Sequence, residues 1–242
     1  MKNEPSLVQK LAAEFLGTGL LTLIGAGSVT AAFTLEGGTK APFSFADLGI
    51  ISFAFAFIIV AMVYAIGKVS GCHINPAVTI ALAATGRVDW GTALAYIVAQ
   101  YLGALLGALG IVAMFGTTAA TSSILGVTSF GASVSPVQAI VAEAIGTGIL
   151  VFSIFGVAVD SRAPAGWAGL VIGLIVAGII FVVGPVTGAA LNPARALATT
   201  LIQAFFGGKA FYDQIYVYIV GPVVGGLLGA FAYVYIANPE KA

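Results

Sequence analysis

Long apolar runs separated by short polar segments dominate the chain. The runs are close to the roughly 20 residues that an α-helix needs to cross a bilayer, and they lack the alternation expected of a barrel strand. No charged residue lies at 48–67 or at 90–142. The pattern predicts six membrane-spanning helices. They are expected near residues 8–33, 46–67, 90–115, 137–159, 165–183 and 214–237.

Two further apolar segments are too short to span. Residues 75–85 and 192–206 would cross only about half of the hydrocarbon core as helices. They begin with the same tripeptide, as Asn75-Pro76-Ala77 and Asn192-Pro193-Ala194. Asn is a favoured helix N-cap and Pro is favoured at the first helical position. A single such tripeptide indicates an ordinary capped helix, but two at matching places predict a pair of half-helices.

The two halves of the chain resemble each other. Ala13-Glu14 and Gly17-Thr18-Gly19 are matched by Ala142-Glu143 and Gly146-Thr147-Gly148, and both tripeptides follow in order. The repeats cover about 8–115 and 137–237. Each contains three spans, an odd number, so the second is inverted in the membrane and functional groups are expected near the midplane. The predicted fold is an all-α membrane protein, with 1–242 forming one channel domain.

Composition supports a membrane protein and excludes several functions. Of 242 residues, 60% are hydrophobic and 7% are charged, against about 25% charged in soluble domains. Nine basic and nine acidic residues leave no net positive charge for nucleic acid. One Cys and one His argue against a disulfide framework and a metal site, and no cofactor is expected.

The basic residues predict an orientation. With six spans, they divide between the two sides of the membrane as Lys2, Lys10, Lys68, Arg87, Arg162 and Lys241 against Lys40, Arg195 and Lys209. Because short cytoplasmic loops are enriched in Lys and Arg, both termini are expected in the cytoplasm of a multi-pass protein of the cell membrane.

The half-helices suggest a chemistry at the midplane. Each helix N-terminus carries about half a positive charge, which disfavours cations and accepts a neutral dipole. The side chains of Asn75 and Asn192 each offer amide N–H donors. Two such donors can hold the oxygen of a passing water or hydroxyl.

The segment Ser70-Gly71-Cys72-His73-Ile74-Asn75-Pro76-Ala77-Val78-Thr79 and the segment Asn192-Pro193-Ala194-Arg195 resemble the aquaporin and glycerol-facilitator (major intrinsic protein) family, and the pattern is similar to its archaeal members. The resemblance covers nearly the whole chain. It implies six helices with two half-helices, homotetramers in membrane lipid with one pore per subunit, and a passive channel rather than an enzyme. It also implies that positive half-helix ends and an Arg exclude protons and cations.

The same resemblance implies a four-residue selectivity filter. Its positions in this chain are Phe55, Ile180, Ala189 and Arg195. Water channels of the family usually have His where Ile180 stands, and glycerol facilitators usually have Trp where Phe55 stands. Glycerol facilitators also have Asp after the Arg, where this chain has Ala196. We expect water as the main permeant, with glycerol or another small neutral solute as the second candidate.

Three ionisable residues remain near membrane depth. Glu14 and Glu143 occupy equivalent repeat positions, and the resemblance implies that they brace the loops carrying the tripeptides. The alternative is a proton-coupling site of an ion-coupled secondary transporter. His73 either supports the pore near its cytoplasmic side or packs within its loop.

Overall fold

The structure, a computed structural model, describes residues 4–40, 43–122 and 124–237. Within these ranges it is helical and contains no β-strand. The major helices are α1 (Leu7–Leu35), α2 (Phe45–Ser70), α3 (Pro76–Ala84), α4 (Trp90–Phe115), α5 (Pro136–Val159), α6 (Ala168–Thr187), α7 (Pro193–Phe205) and α8 (Val217–Ala237). In this part of the chain, six helical segments are long and apolar enough to cross a membrane. The predicted fold class and the six predicted spans are therefore confirmed, with one clear difference in helix limits.

One predicted span differs clearly from the observed helix. The apolar pattern placed it at 165–183, whereas α6 runs from Ala168 to Thr187. The start is later because Gly166 has a φ of +86°, which ends any right-handed helix at that residue. At the other end the helix continues through Pro185 to Thr187. Gly188, with a φ of +81°, then terminates the helix and its N–H bonds Gly184 O.

Glycines let the spanning helices pack backbone against backbone. A methyl group at Gly103 of α4 would lie 2.0 Å from the Phe15 carbonyl oxygen of α1. A methyl group at Gly225 of α8 would lie 2.0 Å from the Ala144 carbonyl oxygen of α5. Such close crossings are typical of helices in lipid. There the hydrophobic effect does not drive helices together, and small residues allow close van der Waals packing instead. The crossings α1–α4 and α5–α8 thus occupy matching places in the two halves.

The two half-helices lie inside the cage of spanning helices. Asn75 and Asn192 are their N-caps, each with an extended backbone, and Pro76 and Pro193 occupy the first helical turn. The positions from Pro76 to Thr79 are all buried. The N-terminal ends of α3 and α7 face each other, as the contacts between the two Asn side chains and the opposite loops show.

A π-helical turn in α1 shapes one wall of the interior. The turn covers Thr22–Ala26, and a methyl group at Gly25 would lie 2.3 Å from the Phe55 ring. Because Gly25 has no side chain, the Phe55 ring can pack directly against α1. Single π-helical turns are frequent at functional sites, and this one supports a predicted filter residue.

Candidate functional site

The loop before the first half-helix is held by one buried carboxylate. Glu14 is fully buried. Its Oε1 accepts hydrogen bonds from the Ser70 hydroxyl at 2.6 Å and the His73 N–H at 2.9 Å. Its Oε2 accepts from the Ile74 N–H at 2.7 Å and from Gln100 Nε2 at 2.8 Å. Four donors thus satisfy the two oxygens of this side chain, as a buried polar group requires.

The loop before the second half-helix repeats this arrangement. Glu143 is also fully buried. Its Oε1 accepts from the Thr187 hydroxyl at 2.6 Å and from the Ala190 N–H at 2.9 Å. Its Oε2 accepts from the Leu191 N–H at 2.8 Å. Both glutamates therefore contact the loops that carry the tripeptides, and their oxygens are occupied by donors from the protein.

The carboxylates stabilise strained backbone. Cys72 and Ile74 in the first loop have φ values of +51° and +43°, and Ala189 and Leu191 in the second have +46° and +53°. Left-handed backbone is costly for residues with a side chain, above all a β-branched one such as Ile74. The alternating backbone aims the carbonyls of Ile74 and Leu191 at the opposite half-helix, where each accepts a bond from an Asn side chain.

The two Asn side chains form crossed hydrogen bonds, each to the loop of the opposite half. Asn75 Nδ2 donates to Leu191 O at 2.8 Å, and Asn192 Nδ2 donates to Ile74 O at 2.8 Å. The Asn75 Oδ1 accepts the Ala77 N–H at 2.9 Å, and the Asn192 Oδ1 accepts the Ala194 N–H at 3.0 Å. Each amide nitrogen carries two hydrogens, so one on each side chain remains for a molecule in the interior.

A cavity runs past both Asn side chains, and we call it the central cavity. It has a volume of about 60 Å³, more than the roughly 10–15 Å³ that a single water molecule requires. Its walls are predominantly apolar. Its lining includes Phe55, Ile59, Val63, His73, Asn75, Ile180, Ala189, Asn192 and Arg195. The cavity therefore presents a few polar groups on an otherwise apolar wall.

A second cavity, the flanking cavity, lies beyond the predicted filter and has a volume of about 180 Å³. Three residues line both cavities, namely Phe55, Ile180 and Arg195. Ala189 lines the central cavity only, and its neighbour Gly188 lines the flanking cavity. The structure thus brings the four predicted filter residues together at the boundary between the two cavities.

Arg195 is the charged group at this boundary. It lies in the first turn of α7, is only 2% exposed, and its guanidinium carbon lies 5.2 Å from the centre of the Phe55 ring. Its Nε and one terminal nitrogen make no hydrogen bond with the described residues. A guanidinium has five donors and no acceptor. The group can therefore bind oxygen atoms of a neutral molecule and repel a cation.

His73 lies on the other side of the Asn pair. It belongs to the loop between the end of α2 and the first tripeptide, and it is half-buried. Its ring lines the central cavity, packs edge-on against Tyr96 at 5.1 Å, and places Nδ1 3.2 Å from the Thr79 hydroxyl. The side chain therefore takes part both in the cavity wall and in loop packing, the two alternatives that the sequence left open.

Two tyrosines that hold the loops of the site were not predicted as site residues. Tyr96 donates to Ser70 O at 3.0 Å, and Tyr218 donates to Thr187 O at 2.9 Å. These bonds clamp the ends of α2 and α6 in the same way. The two tyrosines and the two hydroxyl residues are equivalent in the internal repeat. Pairing the halves position by position was the signal that could have identified them.

A loop from 124 to 131 was also missed. Five of its residues line the flanking cavity, namely Ile124, Gly126, Val127, Thr128 and Ser129. Gln203 Oε1 accepts the Leu125 N–H at 2.7 Å, and Gln214 Oε1 accepts the Phe130 N–H at 2.9 Å. The loop is therefore fixed from two sides. No sequence pattern linked it to the filter, because its contacts lie about 80 residues away in the chain.

Most of the basic residues used to predict the orientation lie within the described ranges. Lys10, Lys68, Arg87 and Arg162 lie within or just beyond the end turns of helices, whereas Lys2 and Lys241 lie outside the described residues. Within the described ranges, no group of three or more His, Cys, Asp or Glu side chains could hold a metal ion.

Comparisons with known proteins agree with this geometry. The sequence model of the family described as "Major intrinsic protein" matches residues 1–233. The chain is 41% identical to Aquaporin AqpM of Methanothermobacter thermautotrophicus, over 96% of this chain and 99% of that protein. It is 42% identical to Probable aquaporin AqpM of Archaeoglobus fulgidus, over 96% and 98%. The X-ray structure of the aquaglyceroporin from Plasmodium falciparum superimposes with a TM-score of 0.83 at 28% identity, over 96% of this chain and 97% of that one.

Proposed function

The chain belongs to the major intrinsic protein family and is a passive, non-enzymatic membrane channel, and we propose that water is its main permeant. The observation that carries the proposal is the pair of Asn amides beside one narrow cavity. Each amide keeps one N–H after donating to the opposite loop. Two donors at one point hold the oxygen of a single water molecule, whose own hydrogens then point away along the pore.

The size and polarity of the cavity support water over larger solutes. The central cavity is about 60 Å³ and mainly apolar, so a permeant must exchange most of its water shell for a few fixed polar groups. A single water molecule has fewer contacts with surrounding water to replace than a larger solute has. At the boundary between the cavities, Arg195 supplies donors while Phe55 and Ile180 supply none.

Glycerol or another small neutral solute is the second candidate. Its support is Ile180, an apolar residue at the filter position where a His would add a polar partner. Phe55 and Ile180 together offer an apolar wall for a carbon skeleton, with Arg195 opposite for hydroxyl oxygens. The structural likeness to the aquaglyceroporin from Plasmodium falciparum is in keeping with this alternative.

The exclusion of ions and protons follows from the charges around the cavity. Two half-helices direct their positive ends at the Asn pair, and the buried guanidinium of Arg195 adds a full positive charge at the filter. A cation would have to lose water next to these groups. The carboxylates of Glu14 and Glu143 are fully buried and engaged by protein donors, which favours a bracing role over proton coupling.

We propose the following arrangement in the cell. The protein lies in the cell membrane with both termini in the cytoplasm, because six alternating spans would put Lys10, Lys68, Arg87 and Arg162 on one side of the membrane and short cytoplasmic loops are enriched in Lys and Arg. It assembles as a homotetramer with one pore in each subunit. Exposed apolar side chains on α2, such as Ile50 and Phe57, suit contact with lipid or with another copy. Mass determination of the protein in lipid nanodiscs tests the assembly, and a single copy per particle would contradict it.

Stopped-flow light scattering on proteoliposomes tests the choice of permeant. Vesicles containing the protein are mixed first with sucrose and then with glycerol. In both solutions we expect the vesicles to shrink faster than protein-free vesicles. The re-swelling that follows in glycerol should be slow. Re-swelling in glycerol as fast as the shrinkage would make glycerol the main substrate, and shrinkage no faster than in protein-free vesicles would contradict water conduction.

A further inference from the structure

Two residues that line the flanking cavity carry buried polar atoms without a hydrogen-bond partner. Arg195 is 2% exposed, and its Nε and Nη1 make no hydrogen bond with the described residues. Thr128 is 3% exposed, and its hydroxyl makes none either. Both side chains line the flanking cavity. Because buried polar groups are nearly always satisfied, these atoms indicate a molecule in the cavity that supplies the missing partners.

The positive charge of Arg195 has no counter-ion in contact with it. Among the described residues, the salt bridge is that between Arg162 and Asp160. The oxygens of Glu143 are occupied by donors of the second loop. No described Asp or Glu side chain lines the flanking cavity. Arg195 also lies in the first turn of α7, where the helix dipole adds positive charge. These charges favour an anionic ligand.

The opposite wall of the flanking cavity is apolar. The rings of Phe33, Phe43 and Phe55 lie on it. The volume of about 180 Å³ is many times the roughly 10–15 Å³ that one water molecule requires. A ligand that suits both walls has acceptor oxygens at one end and hydrocarbon at the other. A carboxylate is such an acceptor group, since it can bond two nitrogens of a guanidinium at once.

Thr128 adds a hydroxyl donor in a fixed place. A methyl group at Gly188 would lie 3.2 Å from Thr128 Cγ2, so the side chain packs against the end of α6. The Tyr218 hydroxyl lies near the Thr128 hydroxyl, but it donates its own proton to Thr187 O at 2.9 Å. The Thr128 hydroxyl therefore receives no hydrogen from Tyr218, and its proton is available for an oxygen of the ligand.

We propose that the flanking cavity binds a short-chain monocarboxylate and that the bound anion blocks the pore. Its carboxylate bonds Arg195 and the Thr128 hydroxyl, and its hydrocarbon packs on the phenylalanine rings. The anion stays there because the central cavity beyond is smaller, about 60 Å³, and no other described Lys or Arg lines it. The blocking role rests on the proposed function as a water channel, whereas the binding site does not depend on it.

Binding can be measured without any transport assay. The probe is propionate at about pH 7.5, where a carboxylic acid is ionised, and the method is saturation-transfer NMR on the protein in lipid nanodiscs. Propionamide has nearly the same shape without the charge and is the matched control. We expect a saturable signal for propionate above that of empty nanodiscs, and none for propionamide. No saturable propionate signal, or equal binding of the two compounds, would overturn the proposal.

Substitutions of Thr128 test whether this cavity is the site. Thr128→Val keeps the shape of the side chain and removes the hydroxyl. We expect the affinity for propionate to fall about tenfold, the effect of one hydrogen bond to a charged group. Thr128→Ser keeps the hydroxyl and should bind propionate as the unmodified protein does. Equal affinities in the two variants would show that propionate binds elsewhere and would overturn the proposed site.

Water flux tests the blocking role. Propionate is placed on both sides of the proteoliposome membrane, so that channels of either orientation are exposed to it and it forms no gradient. At the concentration that half-saturates the NMR signal, we expect osmotic water permeability to fall about twofold, because half of the pores hold an anion. Propionamide at the same concentration should leave the permeability unchanged.

The two measurements fail separately. Saturable binding of propionate with unchanged water permeability would overturn the blocking role. If the unmodified protein conducts no water, the proposed function fails, while the NMR comparison of propionate with propionamide still decides whether the site exists.

Discussion

Asn75 and Asn192 each donate to the carbonyl that directly precedes the other, at 2.8 Å in both cases. Each Asn therefore fixes the loop that presents its partner, and neither half-helix can shift without breaking a bond of the other. The contact joins residues more than 110 positions apart. It leaves one amide hydrogen on each side chain for the permeant, so the same groups provide both rigidity and recognition.

The role of Arg195 in excluding ions can be tested by Arg195→Val. Removing the buried charge should lower the electrostatic barrier, and a reduction of only about 1.4 kcal/mol gives a tenfold rise in ion flux. We expect cation or proton leak at least tenfold above that of the unmodified protein, measured with a pH-sensitive dye in voltage-clamped vesicles. If the variant still conducts water and stays electrically silent, the half-helix ends alone exclude ions.

Ile180 is predicted to set the access of glycerol. Ile180→His adds a polar group opposite Phe55 and Arg195, which should favour water and obstruct a carbon skeleton. We expect glycerol flux to fall about tenfold, equivalent to about 1.4 kcal/mol, while water flux is retained. Ile180→Leu conserves volume and serves as the control. Equal glycerol flux in the His variant and the control would show that Ile180 does not line the constriction in membranes.

Glu143 is predicted to stabilise the second loop. Glu143→Gln keeps the size of the side chain but replaces one acceptor oxygen by a donor, facing hydroxyl or N–H donors that are buried. We expect a loss of about 1–3 kcal/mol of stability for each unsatisfied buried donor, seen as a lower melting temperature in detergent. Glu4→Gln changes an exposed residue and should have no effect. Equal melting temperatures for the two variants would contradict the bracing role.

The loop after α5 is predicted to depend on pH. Asp160 accepts hydrogen bonds from the Arg162 side chain and backbone N–H and from the Tyr233 hydroxyl, and these donors hold the pKa of its carboxyl well below the usual range. A carboxyl with a lowered folded-state pKa stabilises the fold above its unfolded pKa of about 3.9 and loses this effect as pH falls towards the folded-state pKa.

The measurement is the melting temperature of Asp160→Asn against pH. The variant should melt a few degrees below the unmodified protein at all pH values from about 5 to 8. The difference should shrink once the pH falls below about 4. Asp213→Asn, at an exposed position, is the control. A difference that persists unchanged at the lowest pH would show that the charge of Asp160 is not the cause.

The sequence was sufficient for most of the helices and for the residues with strong motifs. Spans were predictable because a bilayer demands long apolar runs, and α4 matches its predicted limits of 90 and 115. The half-helices were predictable because an Asn-Pro helix start is followed in both halves by an apolar run too short to span. The predicted end of α6 was wrong because the helix continues past Val183 and through Pro185, and stops only at Gly188 with its positive φ.

The connections between distant residues were not predictable in the same way. Gln100 gives no signal in a run of apolar residues, yet it joins Glu14 to Thr79. The loop at 124–131 has no apolar period, and its hydrogen bonds to Thr30, Gln203 and Gln214 come from distant parts of the chain. Such contacts depend on how the helices pack, and one sequence does not encode that packing in a local pattern.

The central claim is that the crossed Asn pair and its half-helices pass water while excluding charge. Its most direct test is to measure osmotic water permeability and proton conductance on the same proteoliposomes of unmodified protein. We expect water permeability well above that of protein-free vesicles and proton conductance equal to theirs. A proton or cation current that rises with the amount of reconstituted protein would contradict the account.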